Sequence, residues 1–304
     1  MPGNHYEERV NRVLDYIASH LEGDLSLTRL SEVGCFSRFH FHRIFQGITH
    51  ETLNAHVRRV RLERAALLLR ASPRKRITDV AIETGFAGTA EFSRAFKSHF
   101  HCTASSWDRR SPLENSKICK EPESRPFHTI EELERWKAAS DVPVRVQQFA
   151  AFRYVYCRHF GPHESSTLVD RYHAMLAWLA KRGTAVRDIV VVGMSQDDPA
   201  ITPADKYRYD LGIAFQGGAL PQQAECDAEG FSIRDFEPMQ IAALHCVGDI
   251  GHVDRAWHYL YRIWLPESAW EPNDLPAMEM FVRLPEEIGW TTFDLKACIP
   301  VVRR

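Results

Sequence analysis

An internal repeat in the first third of the chain constrains its fold more than any other feature. Residues 27–36 align with residues 77–86 at an offset of 50, and residues 41–46 align with residues 92–97 at an offset of 51. Each copy has apolar residues at helical spacing, then a glycine, then a second helical run. Two helices joined by a short turn with glycine are typical of the helix-turn-helix unit, whose second helix enters the DNA major groove. The repeat therefore predicts two such units.

The two copies differ at the turn. Gly85 supplies a left-handed backbone in the second copy, but the aligned residue in the first copy is Cys35. Because a side chain disfavours that conformation, we expect Gly34 to take over the turn by a one-residue shift. The inward faces of the two following helices agree, with Phe41, Ile44 and Phe45 in the first and Phe92, Ala95 and Phe96 in the second.

In residues 51–71, between the copies, leucines and valines supply an apolar surface, and we expect the arginines on the remaining, outward faces. This segment predicts a long helix that holds the two units apart, so that both second helices reach successive major grooves about 34 Å apart. Residues 1–112 contain 17 Lys and Arg against 12 Asp and Glu, whereas the rest of the chain contains 21 against 28. A basic part followed by an acidic part indicates that only the first meets a polyanion.

Residues 36–45, 60–65 and 85–97 resemble the DNA-binding domain of the AraC/XylS family of transcription regulators. The resemblance implies that the first recognition helix contacts bases through Phe39, His42 and Arg43. It implies that the second recognition helix uses Thr89, Ala90, Ser93 and Arg94. Four further basic residues are candidates for phosphate contact: Arg38, Arg58, Arg61 and Lys97.

The chemistry of these side chains predicts a division of work. Arg43 can donate two hydrogen bonds to a guanine, and Phe39 can pack on a thymine methyl group. Thr89 and Ala90 are short, so we expect the second helix to position the protein more than it reads sequence. For each single arginine, the alternative is a solvated surface charge.

Prolines and charged residues are mixed through residues 113–142, as in an interdomain linker. Within this segment, Thr129 and Glu132 predict a capping box that opens a short helix through about Ala139. We therefore expect a DNA-binding domain at residues 1–112, a linker at 113–142 and a second domain at 143–304.

A second, fainter repeat has an offset of 87 and relates Phe149, Gly161 and Tyr172 to Phe236, Gly248 and Tyr259. Each copy predicts a strand, a glycine turn and an amphipathic helix, with strands at 152–160 and 240–247 and helices at 168–181 and 253–264. Further strands fit residues 189–194, 208–215 and 278–284. The pattern predicts an α+β domain with an antiparallel sheet, a pseudo-twofold repeat and a ligand groove between its halves.

Residues 158–163, 197–212 and 264–268 resemble the GyrI-like small-molecule-binding domain. The whole chain therefore resembles the Rob-type regulators, in which an AraC-like DNA-binding domain is fused to a GyrI-like domain. Members of that family commonly present an acidic residue and aromatic rings to lipophilic cations, and here the matching segment is 277–281.

Glu279 and Phe281 should project from one face of their strand, and Met278 and Met280 from the other. A carboxylate among aromatic rings attracts a desolvated cation, and the ring faces add cation–π attraction. The expected walls of this ligand site are Tyr156, Tyr209, Trp257, Tyr261 and Trp264. The alternatives are a structural carboxylate at Glu279 and ordinary core packing of the aromatic side chains.

These features predict a ligand-responsive, sequence-specific transcription regulator of the cytoplasm, acting as an activator. Its expected partners are double-stranded DNA, a small-molecule effector and RNA polymerase, and not a membrane. Two alternatives stay open for the second domain, a hydrolase of reactive small molecules that uses Glu279, and a protein-interaction module. We otherwise expect no enzymatic activity, no catalytic residue and no cofactor.

The histidines show no helical zinc motif, so the sequence predicts no metal site. The seven cysteines are scattered without a Cys-x-x-Cys pair, which favours small apolar residues in a reducing compartment over a thiol redox sensor.

Overall fold

The structure, a computed structural model, describes residues 5–72, 74–107, 128–140, 142–161, 166–184, 189–198, 201–217, 219–289 and 291–303. These residues form two compact units. The helical unit contains residues 5–107 and 197–207, and the sheet unit contains residues 128–196 and 208–303. Among the described helices, none has both the length and the apolar character that a membrane span requires.

The unit boundaries differ from the sequence prediction in two places. Residues 197–207, expected in the second domain, belong to the helical unit. Residues 128–140, expected at the end of the linker, belong to the sheet unit. The rest of the predicted linker up to residue 127, and Cys119 with it, lies outside the described residues.

In the described residues 5–107, the helical unit contains these helices: α1 His5–Ser19, α2 Leu27–Val33, α3 Arg38–Thr49, α4 Leu53–Ala71, α5 Ile77–Glu83 and α6 Thr89–Phe100. We call α2 with α3 the first helical pair and α5 with α6 the second helical pair. Helix α4 has 19 residues, so it is about 28 Å long and connects the pairs as one rigid element. Its buried leucines pack on the second pair, against Phe92, Phe96 and Phe100.

Charged side chains on α4 depart from the expectation that its arginines face outward. Arg59 and Arg70 are 7% and 5% exposed, while Leu67 is only half-buried. Both arginines lie on the inward side of the helix, and each has an acidic partner there. Apolar spacing alone did not reveal this because an arginine on a core face looks like one on a surface until its partner is known.

The turn of the first helical pair corrects the expected one-residue shift. Cys35 itself adopts the left-handed conformation at φ +54°, as Gly85 does at φ +80°, whereas Gly34 has φ −80°. The hydrogen bonds match too, since the Phe36 N–H donates to the Ser31 carbonyl at 2.8 Å and the Phe86 N–H donates to the Ala81 carbonyl at 3.0 Å. Both turns are therefore Schellman-type helix ends, one of them closed by a non-glycine residue.

Nine strands of the described residues form the antiparallel sheet: β1 Arg145–Phe149, β2 Phe152–Phe160, β3 Val190–Ser195, β4 Arg208–Phe215, β5 Ser232–Phe236, β6 Met239–Gly248, β7 Trp270–Pro272, β8 Ala277–Arg283 and β9 Phe293–Arg303. Their order is β1-β6-β9-β8-β3-β4-β2-β5, with β7 beside β9. Strands β3 and β8 pair at the centre, where Gly193 lies opposite Glu279. On either side, β4, β2 and β5 match β9, β6 and β1 in position.

The other elements of the sheet unit are α7 Ile130–Ser140, α8 Ser166–Lys181, α9 Gln223–Glu229, α10 Ile250–Tyr259, a π turn Leu260–Trp264, α11 Leu265–Glu267 and α12 Pro285–Ile288. Helix α7 opens with the predicted capping box, in which Thr129 N–H donates to Glu132 and Glu132 N–H donates to Thr129 Oγ1. Where the sequence predicts one helix through residue 264, α10 passes instead into the π turn. Pro266 follows that turn and cannot donate an N–H to an ordinary helix.

Candidate DNA-binding face and ligand site

The outer face of α3 is polar, basic and aromatic. Arg38, His42 and Arg43 are exposed, and Phe39 is 81% exposed, the most of any large apolar side chain described. Helical spacing explains this face, since Phe41 and Phe45 point inward and are fully buried. A large ring held out in water is unfavourable unless something covers it, so this face suits a partner that offers both apolar and hydrogen-bonding groups.

Helix α6 presents a different face of smaller side chains. Thr89, Ala90, Ser93, Arg94 and Lys97 are all exposed, as the sequence predicts. Its inward side is the aromatic core of the second helical pair, where Phe96 packs at 5.4 Å on the ring of Trp107. The short outward side chains let a backbone approach closely, and the two cations lie on the same helix.

A basic groove of about 410 Å³ lies beside α4 and α6 in the helical unit. Arg58, Arg61 and Arg94 line it, together with the single acid Glu91. The excess of guanidinium groups in a concave surface suits a phosphate, because an arginine fork binds phosphate oxygens in pairs. Arg94, predicted at bases, thus borders the same groove as the predicted phosphate contacts.

Arg61 also braces the fold. Its Nε donates to the Leu21 carbonyl at 3.0 Å, and burial lowers the pKa of the guanidinium. A Cβ on Gly85 would lie 2.1 Å from that same carbonyl oxygen and 2.8 Å from Arg61. Arg61 therefore holds the turn after α5 against the segment before α2 as well as bordering the groove, a structural role that the sequence prediction missed.

A buried ionic network connects the end of α3 to α4. Arg59 donates to Glu51 at 2.7 Å and to Glu63 at 2.9 Å, and His56 lies 2.7 Å from Glu51. Burial opposes ionisation of Glu51, but the bonds from His56 and Arg59 outweigh it and hold its pKa at about 2. Burial raises the pKa of Glu63 to about 7, against the pull of Arg59.

Residues 197–207, the segment between β3 and β4, complete this network within the helical unit. Asp197, with its side chain 1% exposed, lies 3.6 Å from Arg59, and Asp198 accepts a hydrogen bond from Arg70. Ile201 is 2% exposed in the core cluster that includes Trp107. These residues lie in the segment 197–212 that resembles the GyrI-like domain, but their contacts join sequence positions too distant for spacing to predict.

In the sheet unit, Glu279 accepts two hydrogen bonds from aromatic side chains. Tyr209 Oη donates to Oε2 at 2.7 Å, and Trp257 Nε1 donates to Oε1 at 3.0 Å. Tyr261 extends this cluster, because its ring stacks on Trp257 at 6.1 Å and 27°. Phe281 follows on the same strand face, as predicted from alternation, while Met278 and Met280 are buried on the other.

Gly193 makes room for this arrangement. A Cβ there would lie 1.8 Å from Tyr209 Oη and 3.2 Å from Glu279 Oε2. The sequence contained a signal for it, since a glycine inside a valine-rich strand indicates close approach of another group. We did not predict it because the signal does not say which group approaches.

One predicted wall residue lies elsewhere. Tyr156 shares the face of Gly212, Val192 and Met280 by strand register, opposite the face of Glu279, so the structure does not bring it to the cluster. It is fully buried and stacks on Tyr154 at 5.2 Å. Trp264 is half-buried at the end of the π turn, three residues beyond Tyr261.

Arg158 and Asp210 form a buried pair that the sequence prediction missed. The guanidinium donates twice to the carboxylate, at 2.7 Å for each bond, and Gln196 adds a third donor at 2.8 Å. Because Tyr209 and Asp210 are adjacent, they point to opposite faces of β4. The pair therefore anchors the strand that carries Tyr209 toward Glu279.

Two family models match different parts of the chain. A family model described as a GyrI-like small molecule binding domain matches residues 143–302, which is over half of the chain, and one described as a helix-turn-helix domain matches residues 30–110.

The regulatory protein SoxS of Salmonella typhimurium is 29% identical over 105 residues, which are 34% of this chain and 97% of SoxS. The Right origin-binding protein of Escherichia coli K12 is 33% identical over 103 residues, which are 34% of this chain and 35% of that protein. This chain therefore matches only about a third of that second relative.

Among solved structures, the crystal structure of the EcmrR C-terminal domain covers 54% of this chain and 99% of its own, with 10% identity and a TM-score of 0.43. The family matches confirm both predicted resemblances: the chain belongs to the family with a GyrI-like small molecule binding domain and carries an AraC-type helix-turn-helix domain before it.

Proposed function

We propose that this protein is a transcription regulator that reads a specific DNA site with both helical pairs and responds to a lipophilic cation bound beside Glu279. The observation that carries the first part is the exposed, basic and aromatic face of α3, built on a fully buried phenylalanine core. The same inward pattern on α6 supports a second helix-turn-helix unit rather than a plain helical hairpin.

The two recognition helices make different contacts in this proposal. Arg43 reads a guanine edge and Phe39 packs on a thymine methyl group, with His42 as a further base contact. Thr89, Ala90 and Ser93 let α6 approach the groove closely, while Arg94 acts with Arg58 and Arg61 on the phosphates at the basic groove. Arg38 and Lys97 add phosphate contacts at the helix ends.

The carboxylate of Glu279 carries the ligand part of the proposal. The other half-buried or buried acids described above have an arginine partner, but the two donors to Glu279 are uncharged. The two hydrogen bonds therefore orient the carboxylate, but neither donor neutralises its negative charge. The carboxylate lies beside the stacked rings of Trp257 and Tyr261. Such a site favours a cation that sheds its water easily, because the rings add cation–π attraction.

The chain connectivity supports a response to ligand. Residues 197–207 belong to the helical unit, and they continue directly into β4, which carries Tyr209. A ligand that competes for Glu279 releases Tyr209, and the change passes along the backbone to the segment held by Arg59 and Arg70. In this proposal the bound protein activates transcription through RNA polymerase, as the resemblance to AraC-type regulators implies.

Selection of the full-length protein on a randomised duplex library tests the DNA part. We expect an asymmetric motif with two blocks about one helical turn apart. Recovery of nonspecific, salt-sensitive binding alone would contradict site-specific reading.

The ligand part is tested with methyltriphenylphosphonium and the neutral triphenylphosphine oxide, which have similar shape. Glu279→Gln should weaken the cation about tenfold, about 1.4 kcal/mol, and leave the neutral compound unchanged. Glu267→Gln, on an exposed glutamate, is the matched control. Equal losses for the two compounds would refute a charge role.

Reciprocal coupling distinguishes a regulator from the alternative of an independent binding or hydrolytic domain. If the ligand changes DNA affinity by some factor, DNA must change ligand affinity by the same factor. We expect that reciprocity. Hydrolysis of a reactive, cyclopropane-bearing small molecule, abolished by Glu279→Gln, would instead favour the hydrolase alternative.

A further inference from the structure

We propose that His128, Asp254 and His258 form a binding site for a divalent transition-metal ion such as Zn²⁺ in the sheet unit. Asp254 and His258 are four residues apart on α10, which places them on one face of the helix. His128 comes from the segment just before α7. The ligand atoms of the three residues all lie within 4.8 Å of one another.

The distances are close to those of a metal site. His128 Nε2 lies 3.4 Å from Asp254 Oδ2, and His258 Nε2 lies 3.9 Å from Asp254 Oδ1. Donor atoms at about 2.1 Å from a tetrahedral zinc ion are about 3.4 Å apart. The first distance already fits. The second is about half an ångström longer and involves the other carboxylate oxygen, so one ion binds all three residues after a side-chain rotation at Asp254 or His258.

Two of the proposed ligand atoms make no hydrogen bond within the described part of the chain. His128 Nε2 and Asp254 Oδ2 are buried, and neither makes a hydrogen bond, although they face each other. Buried polar atoms are nearly always bonded, and an exception calls for an unseen ligand. A metal ion accepts a lone pair from each of the two atoms at once. A proton shared between the two residues would satisfy both atoms only through a hydrogen bond of poor geometry.

The surroundings hold the cluster without blocking it. Arg262 is buried and donates to the backbone carbonyl of His128 at 2.6 Å, which positions that residue from behind. The rings of His128 and His258 lie 5.5 Å apart at 70°, so both can turn a nitrogen toward one point. Two neutral imidazoles and one carboxylate form a donor set that suits Zn²⁺, Co²⁺ or Ni²⁺ better than Ca²⁺ or Mg²⁺.

A bound ion would tie the entry of α7 to α10. The two helices already pack together, with Trp136 at 6.3 Å from the ring of Tyr259. Because α10 also carries Trp257, which bonds Glu279, the ion would fix one wall of the ligand site. The site thus has a structural role that is separate from the charge of Glu279.

The test uses full-length protein treated with a chelator and then titrated with Co²⁺ or Zn²⁺. We expect one high-affinity Zn²⁺ per chain by calorimetry and a visible Co²⁺ absorption band of a low-symmetry, four-coordinate site, with water as the fourth ligand. His128→Ala, Asp254→Asn and His258→Ala should each weaken binding at least about tenfold, because even outer partners of metal ligands contribute that much. His252→Ala is the matched control, since His252 is an exposed histidine on the same helix.

Circular dichroism of each variant without metal ensures that lost binding is not lost folding, and Asp254→Asn preserves the shape of the side chain. Absence of the Co²⁺ band in the folded wild-type protein would overturn the proposal. It would also be overturned if all three variants bound the ion as tightly as His252→Ala does.

Discussion

The first and second helical pairs have helices of equal length, the same turn hydrogen bonds and inward phenylalanines, yet they differ in the turn residue and the outer face. The first pair closes its turn with Cys35 at φ +54° and presents Phe39, while the second closes with Gly85 at φ +80°. The comparison teaches that the inner face and the turn hydrogen bonds define the unit. The turn residue and the outer residues are free to vary, at a local cost in free energy.

The two pairs also depend on different interactions for stability. The end of the first pair is fixed by the buried ions Glu51 and Arg59, whereas the second pair packs around Phe96, Phe100 and Trp107. Ionic networks respond to pH and aromatic cores do not. The two pairs should therefore respond differently to mutation and to acid.

Gly85→Ala gives the largest expected effect. A Cβ would meet the Leu21 carbonyl at 2.1 Å and would also strain a left-handed backbone, so the free energy of unfolding should fall by about 3 kcal/mol. Urea unfolding measures it. Gly47→Ala in α3, where a Cβ meets nothing within 4 Å, is the control and should not destabilise. A neutral Gly85→Ala would mean that the two turns are interchangeable.

Acid should loosen the first pair before the second. The pKa of Glu51 in the folded protein is about 2, below its usual 4.5. Its contribution to the free energy of unfolding is therefore present above pH 4.5 and is lost as pH falls toward 2. With a discount for residual solvent contact, that contribution is about 2 kcal/mol.

Hydrogen exchange between pH 5 and 2.5 measures this difference between the pairs. We expect amides at the end of α3 to lose protection first, and Glu51→Gln should remove most of the difference. Glu63 acts in the opposite direction, because its pKa is raised from 4.5 to about 7. Its contribution to the free energy of unfolding is therefore lost as pH rises through about 7. Equal loss of protection in both pairs would contradict the ionic role.

Arg43→Ala and Arg94→Ala compare the two outer faces. Arg43→Ala should cost about 1–3 kcal/mol on the selected site and relax the base preference there. Arg94→Ala should weaken selected and random duplexes alike and lower the salt dependence, as a phosphate contact does. Fluorescence anisotropy at two salt concentrations measures both. A uniform loss for Arg43→Ala would make it a phosphate contact too.

Cys35→Gly gives the smallest effect and the opposite sign. Removing the side chain relieves the left-handed backbone, so the free energy of unfolding should rise by about 1 kcal/mol. Cys35→Ala keeps the Cβ and should change little. If the glycine variant gains nothing, contacts of the Cys35 side chain offset the strain.

Much of the fold follows from local pattern. The inward Phe41 and Phe92, the capping box at Thr129 and the alternation around Glu279 were each predictable, because helix and strand periodicity is a local property. The shift to Gly34 was wrong because the rule against left-handed cysteine is a preference of about 1–2 kcal/mol, which the rest of a well-packed turn can exceed.

The site residues divide in the same way. Glu279 and Trp257 were predicted as a carboxylate and an aromatic wall, and they bond each other, but Tyr156 faces away because strand register decides the face. Nothing local indicated the partner of Arg59 or the meeting of His128 with α10.

The sequence by itself determined the two families of domain, the helices and strands, and the outer residues of α3 and α6. These depend on periodicity, capping and turn residues, all of which act over a few positions. Only the tertiary structure decided that residues 197–207 join the helical unit and that His128 meets Asp254. Such contacts join distant segments of the sequence. A buried charge or lone pair meets its partner only when the whole chain is folded.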